Sequence, residues 1–132
     1  MHTNIKTFED ACKSENISTE LPNVSVIPEL EQEAVINFYK ALIICKALNN
    51  TVEKDWRPNW NNYSEQKYYP WFDLENYDKT VSGSGFSFDG CAYVDSGTFV
   101  GSRLCFINSE LATYAGKQFT DVYKAFFTFP VN

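Results

Sequence analysis

At 132 residues the chain has the length of one domain, spanning 1–132, and is long enough to bury a core. Hydrophobic residues make up 44% of it and aromatic residues 17%, which excludes disorder as its general state. A net charge of -6, carried by scattered acids, excludes a sequence-independent binder of duplex nucleic acid and disfavours docking on an anionic membrane.

Taken in chain order, Thr7 followed by Asp10 has the spacing of a capping box and predicts a short helix over Phe8 to Ser14, with Asn16 as its stop. Residues 15–27 read as irregular, broken by Pro22 and Pro28. Pro28 then opens a second helix that begins with Glu29, Glu31 and Glu33, which complement the positive helix end. Leu30, Ala34, Phe38, Ala41, Cys45 and Leu48 recur at helical spacing. Between Ala41 and Cys45 the apolar stripe nearly encircles the helix, so residues 29–49 are expected to be the central, buried helix.

All three tryptophans fall between Trp56 and Trp71, within an aromatic stretch that reads as a loop running into a strand. Lys67 to Glu75 forms the expected first strand, with Pro70 marking an edge or a bulge. Ser82-Gly83-Ser84-Gly85 is a connection. Phe86 to Asp95 alternates with period two, and Val100 to Ile107 reads as a third strand. A final helix follows from Ser109, with the stripe Leu111, Ala115, Phe119, Val122 and Phe126. Gly116 within it marks close approach to another element. The expected fold class is α+β: a three-stranded antiparallel meander packed against two long helices, with a short N-terminal helix.

The chemistry argues against catalysis. His2 is the only histidine, so a histidine-dependent nucleophile or general base has no candidate. Gly83-Ser84-Gly85 lacks the spacing of a nucleophile elbow and is too short to cradle a phosphate. Asp73, Glu75, Asp78 and Asp89 read as solvated acids near strand ends. Cys12, Cys45, Cys91 and Cys105 are far apart, with no paired spacing, and predict reduced structural thiols, no metal site and no cofactor. Cys91 and Cys105 are the pair that a hairpin would bring face to face.

Arg103 stands out because it sits in an otherwise apolar strand and needs a carboxylate, an aromatic face or an anion. On the expected meander Tyr69, Trp71, Tyr93 and Arg103 share the outward face. They are the candidate ligand- or partner-binding residues, and Arg103 paired with Asp73 or Asp89 is the plainer alternative.

Several stretches together resemble a family of small uncharacterised proteins of bacteriophages and prophages of gut bacteria. They include Thr7-Phe8-Glu9-Asp10-Ala11-Cys12, Pro58-Asn59-Trp60-Asn61-Asn62, Lys67-Tyr68-Tyr69-Pro70-Trp71-Phe72 and Gly83-Ser84-Gly85-Phe86-Ser87. Gly101-Ser102-Arg103-Leu104-Cys105-Phe106 and Tyr114-Ala115-Gly116-Lys117-Gln118-Phe119 complete them. The resemblance implies a viral or mobile-element origin and transfers no activity or site residue. The expectation is a non-catalytic accessory protein that binds a protein partner or itself, in the cytoplasm of the bacterial host or in the virion. Met1 to Lys6 carries no apolar signal core, in keeping with that location. The alternative is a binder of a small ligand, a nucleotide or sugar, such as a factor that sequesters a host signalling nucleotide. That alternative predicts a positive pocket at Arg103 with Lys67 or Lys117 nearby.

Overall fold

Thr7 caps the first helix as its spacing predicts. Its hydroxyl accepts from the Asp10 N–H at 3.0 Å, and the Asp10 carboxylate accepts from the Thr7 N–H at 3.1 Å. A computed structural model describes residues 3–79 and 85–130, so His2 and the Gly83-Ser84 connection lie outside the described residues. Helix α1 runs Phe8–Glu15 and stops at Asn16, which adopts the left-handed conformation that ends helices. Helix α2, Glu29–Asn50, follows Pro28 and buries Ala41, Ile44, Cys45 and Leu48, but Leu42 and Ile43 stay partly exposed, so the apolar stripe is not enclosed on all sides as expected.

Strands β1, Lys67–Asp73, and β2, Ser87–Val94, pair antiparallel, from Lys67 opposite Val94 to Asp73 opposite Ser87. Among the described residues the fold is α+β, with four α-helices and this two-stranded sheet. The stretch expected as a third strand behaves differently. It forms a short 3-10 turn, Ser102–Leu104, and then a single antiparallel bridge between Phe106 and Tyr68, with N–H to O distances of 2.7 and 3.1 Å. The bridge lies on the side of β1 away from β2, so β1 is central and the order is not that of a meander.

Pro70 explains why pairing stops there. Extending the ladder beyond Tyr68 and Phe106 would bring Pro70 opposite Leu104, and proline has no N–H to donate. The far edge of the same segment is closed by a side chain. Asn49 of α2 donates to the Cys105 carbonyl at 2.9 Å and accepts from the Ile107 N–H at 3.0 Å. Its amide thereby stands in for the peptide group of a neighbouring strand, and both Asn49 and Cys105 are buried.

The last helix is broken at Phe119 into α3, Ser109–Gln118, and α4, Thr120–Phe127. Asn108, rather than Ser109, is the cap, and its side chain accepts from the Leu111 N–H at 2.8 Å. At the break the Thr120 hydroxyl donates to the Gly116 carbonyl at 2.7 Å, a local bond that competes with the helical ladder. The kink lets α3 cover the sheet while α4 packs on α2. Between them Phe72 stacks on Phe86 at 4.8 Å and meets Tyr123 at 5.0 Å and Phe127 at 5.4 Å.

Gly116 is the point of closest approach between α3 and the sheet. A Cβ there would meet the Phe88 ring and lie 2.8 Å from Pro70 Cβ. Alanine's helix propensity favours Gly116→Ala by about 1 kcal/mol, but overpacking a filled interface costs about 1–3 kcal/mol. Gly116→Ala is therefore expected to lower the urea midpoint of unfolding. A raised midpoint contradicts this packing.

Candidate interaction surface

Lys67, the first residue of β1, has no exposed surface and is the largest fully buried side chain among the described residues. Burying an ammonium is costly unless it is paired and hydrogen-bonded. Its Nζ donates to the Asp95 carbonyl at 2.6 Å and the Asn62 carbonyl at 3.0 Å, and it lies 3.6 Å from Glu65 Oε1. The Trp60 ring closes the site, with its centroid 5.2 Å from the Nζ. Glu65 also accepts the Asn59 N–H at 2.7 Å, and Trp60 Nε1 donates to the Ser102 hydroxyl at 2.6 Å. One cation thus gathers the aromatic loop, the end of β2 and the 3-10 turn.

The four residues expected to share a face are divided by a bulge. Trp71 lies opposite Gly90 and Phe72 opposite Phe88, which leaves Asp89 unmatched. Gly90 has φ 133°, in a region that only glycine occupies readily. A one-residue slip exchanges the faces of a strand. On the Lys67 side of the bulge Tyr69 therefore shares a face with Ala92, while Tyr93 lies opposite Tyr68, with ring centroids 6.0 Å apart. Tyr93 is half exposed on the other face of the sheet from Tyr69 and Trp71.

Tyr69 and Trp71 do come together, with centroids 6.4 Å apart, and a third ring joins them. Phe99 meets Tyr69 edge-on at 5.7 Å. Tyr69 is buried beneath, whereas Trp71 is 47% and Phe99 77% exposed. Phe99 was not among the expected residues, because the turn signal Ser96-Gly97 gives no indication of where the following ring folds. Arg103 lies exposed on the 3-10 turn beside Ser102, and among the described residues it makes no ion pair with Asp73 or Asp89. The loop from Trp56 to Tyr63 wraps Lys67 instead of covering Trp71, which answers whether those rings form core or surface: Trp60 is packed and Tyr63 is exposed. Lys117 lies over Phe88, at 5.7 Å, on the α3 side of the sheet.

All four cysteines are free thiols, and Cys91 and Cys105 do not meet. Cys91 is exposed opposite Pro70, while Cys105 is buried under Asn49. The Cys45 thiol donates to the Cys105 carbonyl at 3.2 Å, and the Cys105 thiol donates to the Gly101 carbonyl at 3.2 Å. Burial pushes Cys45 far above the usual thiol value and pushes Cys105 up to about 11. Burial likewise raises the Tyr123 phenol well above its usual value. These groups are protonated and inert as nucleophiles at neutral pH.

Among the described residues no cluster of His, Cys, Asp or Glu is placed to hold a metal ion, and no helix is long and apolar enough to cross a membrane. No protein-family model matches the chain, and neither curated proteins nor solved structures give a match.

Two outcomes follow from this geometry. Lys67→Met keeps most of the buried stem but leaves three oxygens without their cation, so it should lower stability by about 2 kcal/mol and shift tryptophan emission to the red. Unchanged stability and emission would contradict the cage. Stability should also fall as pH rises above the ordinary thiol value of 9.0, because the unfolded chain loses protons that buried Cys45 and Cys105 retain. Urea midpoints measured from pH 7 upward test this, and a flat profile through pH 11 contradicts it.

Proposed function

We propose that this chain is a non-catalytic interaction module that docks a protein partner on the face formed by Tyr69, Trp71 and Phe99. The observation that carries the reading is an aromatic group left in water, with Trp71 on β1 and Phe99 on the bend that follows β2. Trp71 and Phe99 are exposed above a buried tyrosine, and large rings on a stiff support are the usual anchors of protein interfaces. The resemblance of its motifs to small phage and prophage proteins supports an accessory role in an infected or lysogenic bacterium, in the cytoplasm or in the virion.

The ligand-binding alternative has less support. It calls for Lys67 or Lys117 beside Arg103 as free positive charge, but the Lys67 ammonium is taken up by Asn62, Asp95 and Glu65, and Lys117 lies over the Phe88 ring. Arg103 alone, on an exposed turn, offers one contact to an anion.

The double variant Trp71→Ala with Phe99→Ala tests the reading. Both rings are largely solvated, so stability should change by no more than about 1 kcal/mol. Affinity purification from a host strain carrying the gene should recover a partner with the native chain and lose it with the variant. Recovery of the same partner by both forms would contradict docking at this face. A melting temperature raised by a signalling nucleotide, and no longer raised in Arg103→Ala, would favour the alternative.

A further inference from the structure

Helix α2 is covered on two sides only. Phe8 of α1 packs edge-on against Tyr39 at 6.1 Å, with Lys40 over the same ring, and the core takes Ala41, Ile44 and Leu48. Between those covered sides one strip remains, running Glu31, Val35, Phe38, Leu42 and Lys46. At about 100° per residue these five side chains fall within an arc of roughly 80°. Val35 is 39% and Phe38 42% exposed, Leu42 is partly exposed, and both charged ends are in solvent. Among the described residues neither Glu31 nor Lys46 is in an ion pair.

The order of residues along this strip is self-complementary. It begins with an acid, ends with a base and is apolar between, and its midpoint falls next to Phe38. Turned end over end about that midpoint, Glu31 meets Lys46, Val35 meets Leu42 and Phe38 meets its own counterpart. The spacing of four, three, four and four residues suits near-antiparallel packing of two helices. The geometry points to a second copy of this chain as the occupant: two α2 helices pair antiparallel across a two-fold axis at Phe38, closed at each end by a Glu31–Lys46 ion pair.

A two-fold interface needs a surface complementary to itself, and this charge order meets that requirement. Phe38 is held in place for it by the edge of Phe126, with centroids 5.5 Å apart, so little order is lost when it docks. The strip spans about 22 Å at 1.5 Å per residue, short of what a standard permanent interface covers. The dimer is therefore weak and reversible. It leaves the Trp71 and Phe99 face, on the sheet, available for another partner.

Sedimentation equilibrium of the full chain from micromolar to millimolar concentration tests this, with circular dichroism of each variant as the control for folding. The native chain should show a monomer–dimer equilibrium, and Phe38→Asp should weaken it at least about tenfold. Val35→Asp serves in its place if the loss of the Phe126 contact lowers folding. Glu31→Lys and Lys46→Glu should each weaken the dimer, and the two combined should restore it toward the native constant. A chain that stays monomeric to millimolar concentration overturns the proposal, and so does a dimer that Phe38→Asp and Val35→Asp leave intact. A charge-exchanged double variant no tighter than the single ones overturns it as well.

Discussion

A single buried ammonium group organises the end of the molecule that presents the aromatic face. Lys67 is held by two backbone carbonyls, a carboxylate and an indole ring, each contributed by a segment with little regular structure. A buried charge without these partners would cost several kcal/mol, so the cage is an obligatory set of contacts. Once Trp60 lies against Lys67, its indole N–H reaches Ser102 and fixes the 3-10 turn. Once Asp95 is engaged, the end of β2 and the following turn to Phe99 have a fixed starting point. The rings of Tyr69 and Trp71 stand on the same strand, two and four residues further along.

A second polar group does comparable work at the other end of the segment 102–107. Asn49 ties Cys105 and Ile107 to α2 while Phe106 is tied to Tyr68, so these few residues link the central helix to the central strand. The two constraints act on opposite ends of one stretch of chain. Lys67 and Trp60 hold its turn; Asn49 and Tyr68 hold its bridge. The face above Tyr69 is therefore built on a backbone with fixed attachments, as a docking surface requires.

Much of this was legible in the order of residues, and the failures have identifiable causes. The capping box of α1 and the extent of α2 follow from local hydrogen bonding and helical periodicity, which depend on neighbours in sequence. Close approach at Gly116 was legible for the same reason, since a glycine in a strong helical stripe needs a spatial explanation. The third strand was not. Leu104 and Phe106 are buried as a strand face would be, but Cys105 between them is buried too, and pairing requires a partner with donors, which Pro70 lacks. Nor was the break at Phe119 legible, because the apolar stripe continues through it and the bond from the Thr120 hydroxyl to the Gly116 carbonyl leaves no mark in the periodicity.

The candidate site was legible in part. Tyr69 and Trp71 lie together because they are two apart on one strand, a relation that any strand preserves. Tyr93 was assigned to their face on the assumption of a regular ladder, and one unmatched residue, Asp89, reverses it. Arg103 was assigned there through a strand that is a turn. Lys67 was read only as a possible neighbour of Arg103, since its burial arises from distant carbonyls that leave no pattern in sequence.

The state of the Lys67 ammonium is the most direct test of this account. Lysine ammonium protons in water exchange too quickly to be seen at neutral pH, whereas a caged group bonded to the Asn62 and Asp95 carbonyls is protected from solvent. Nitrogen-15 correlation spectra of the native chain at neutral pH should show one protected lysine ammonium signal, displaced by the ring current of Trp60 and absent from Lys67→Met. Spectra with no protected ammonium signal, or with one that persists in Lys67→Met, would contradict it.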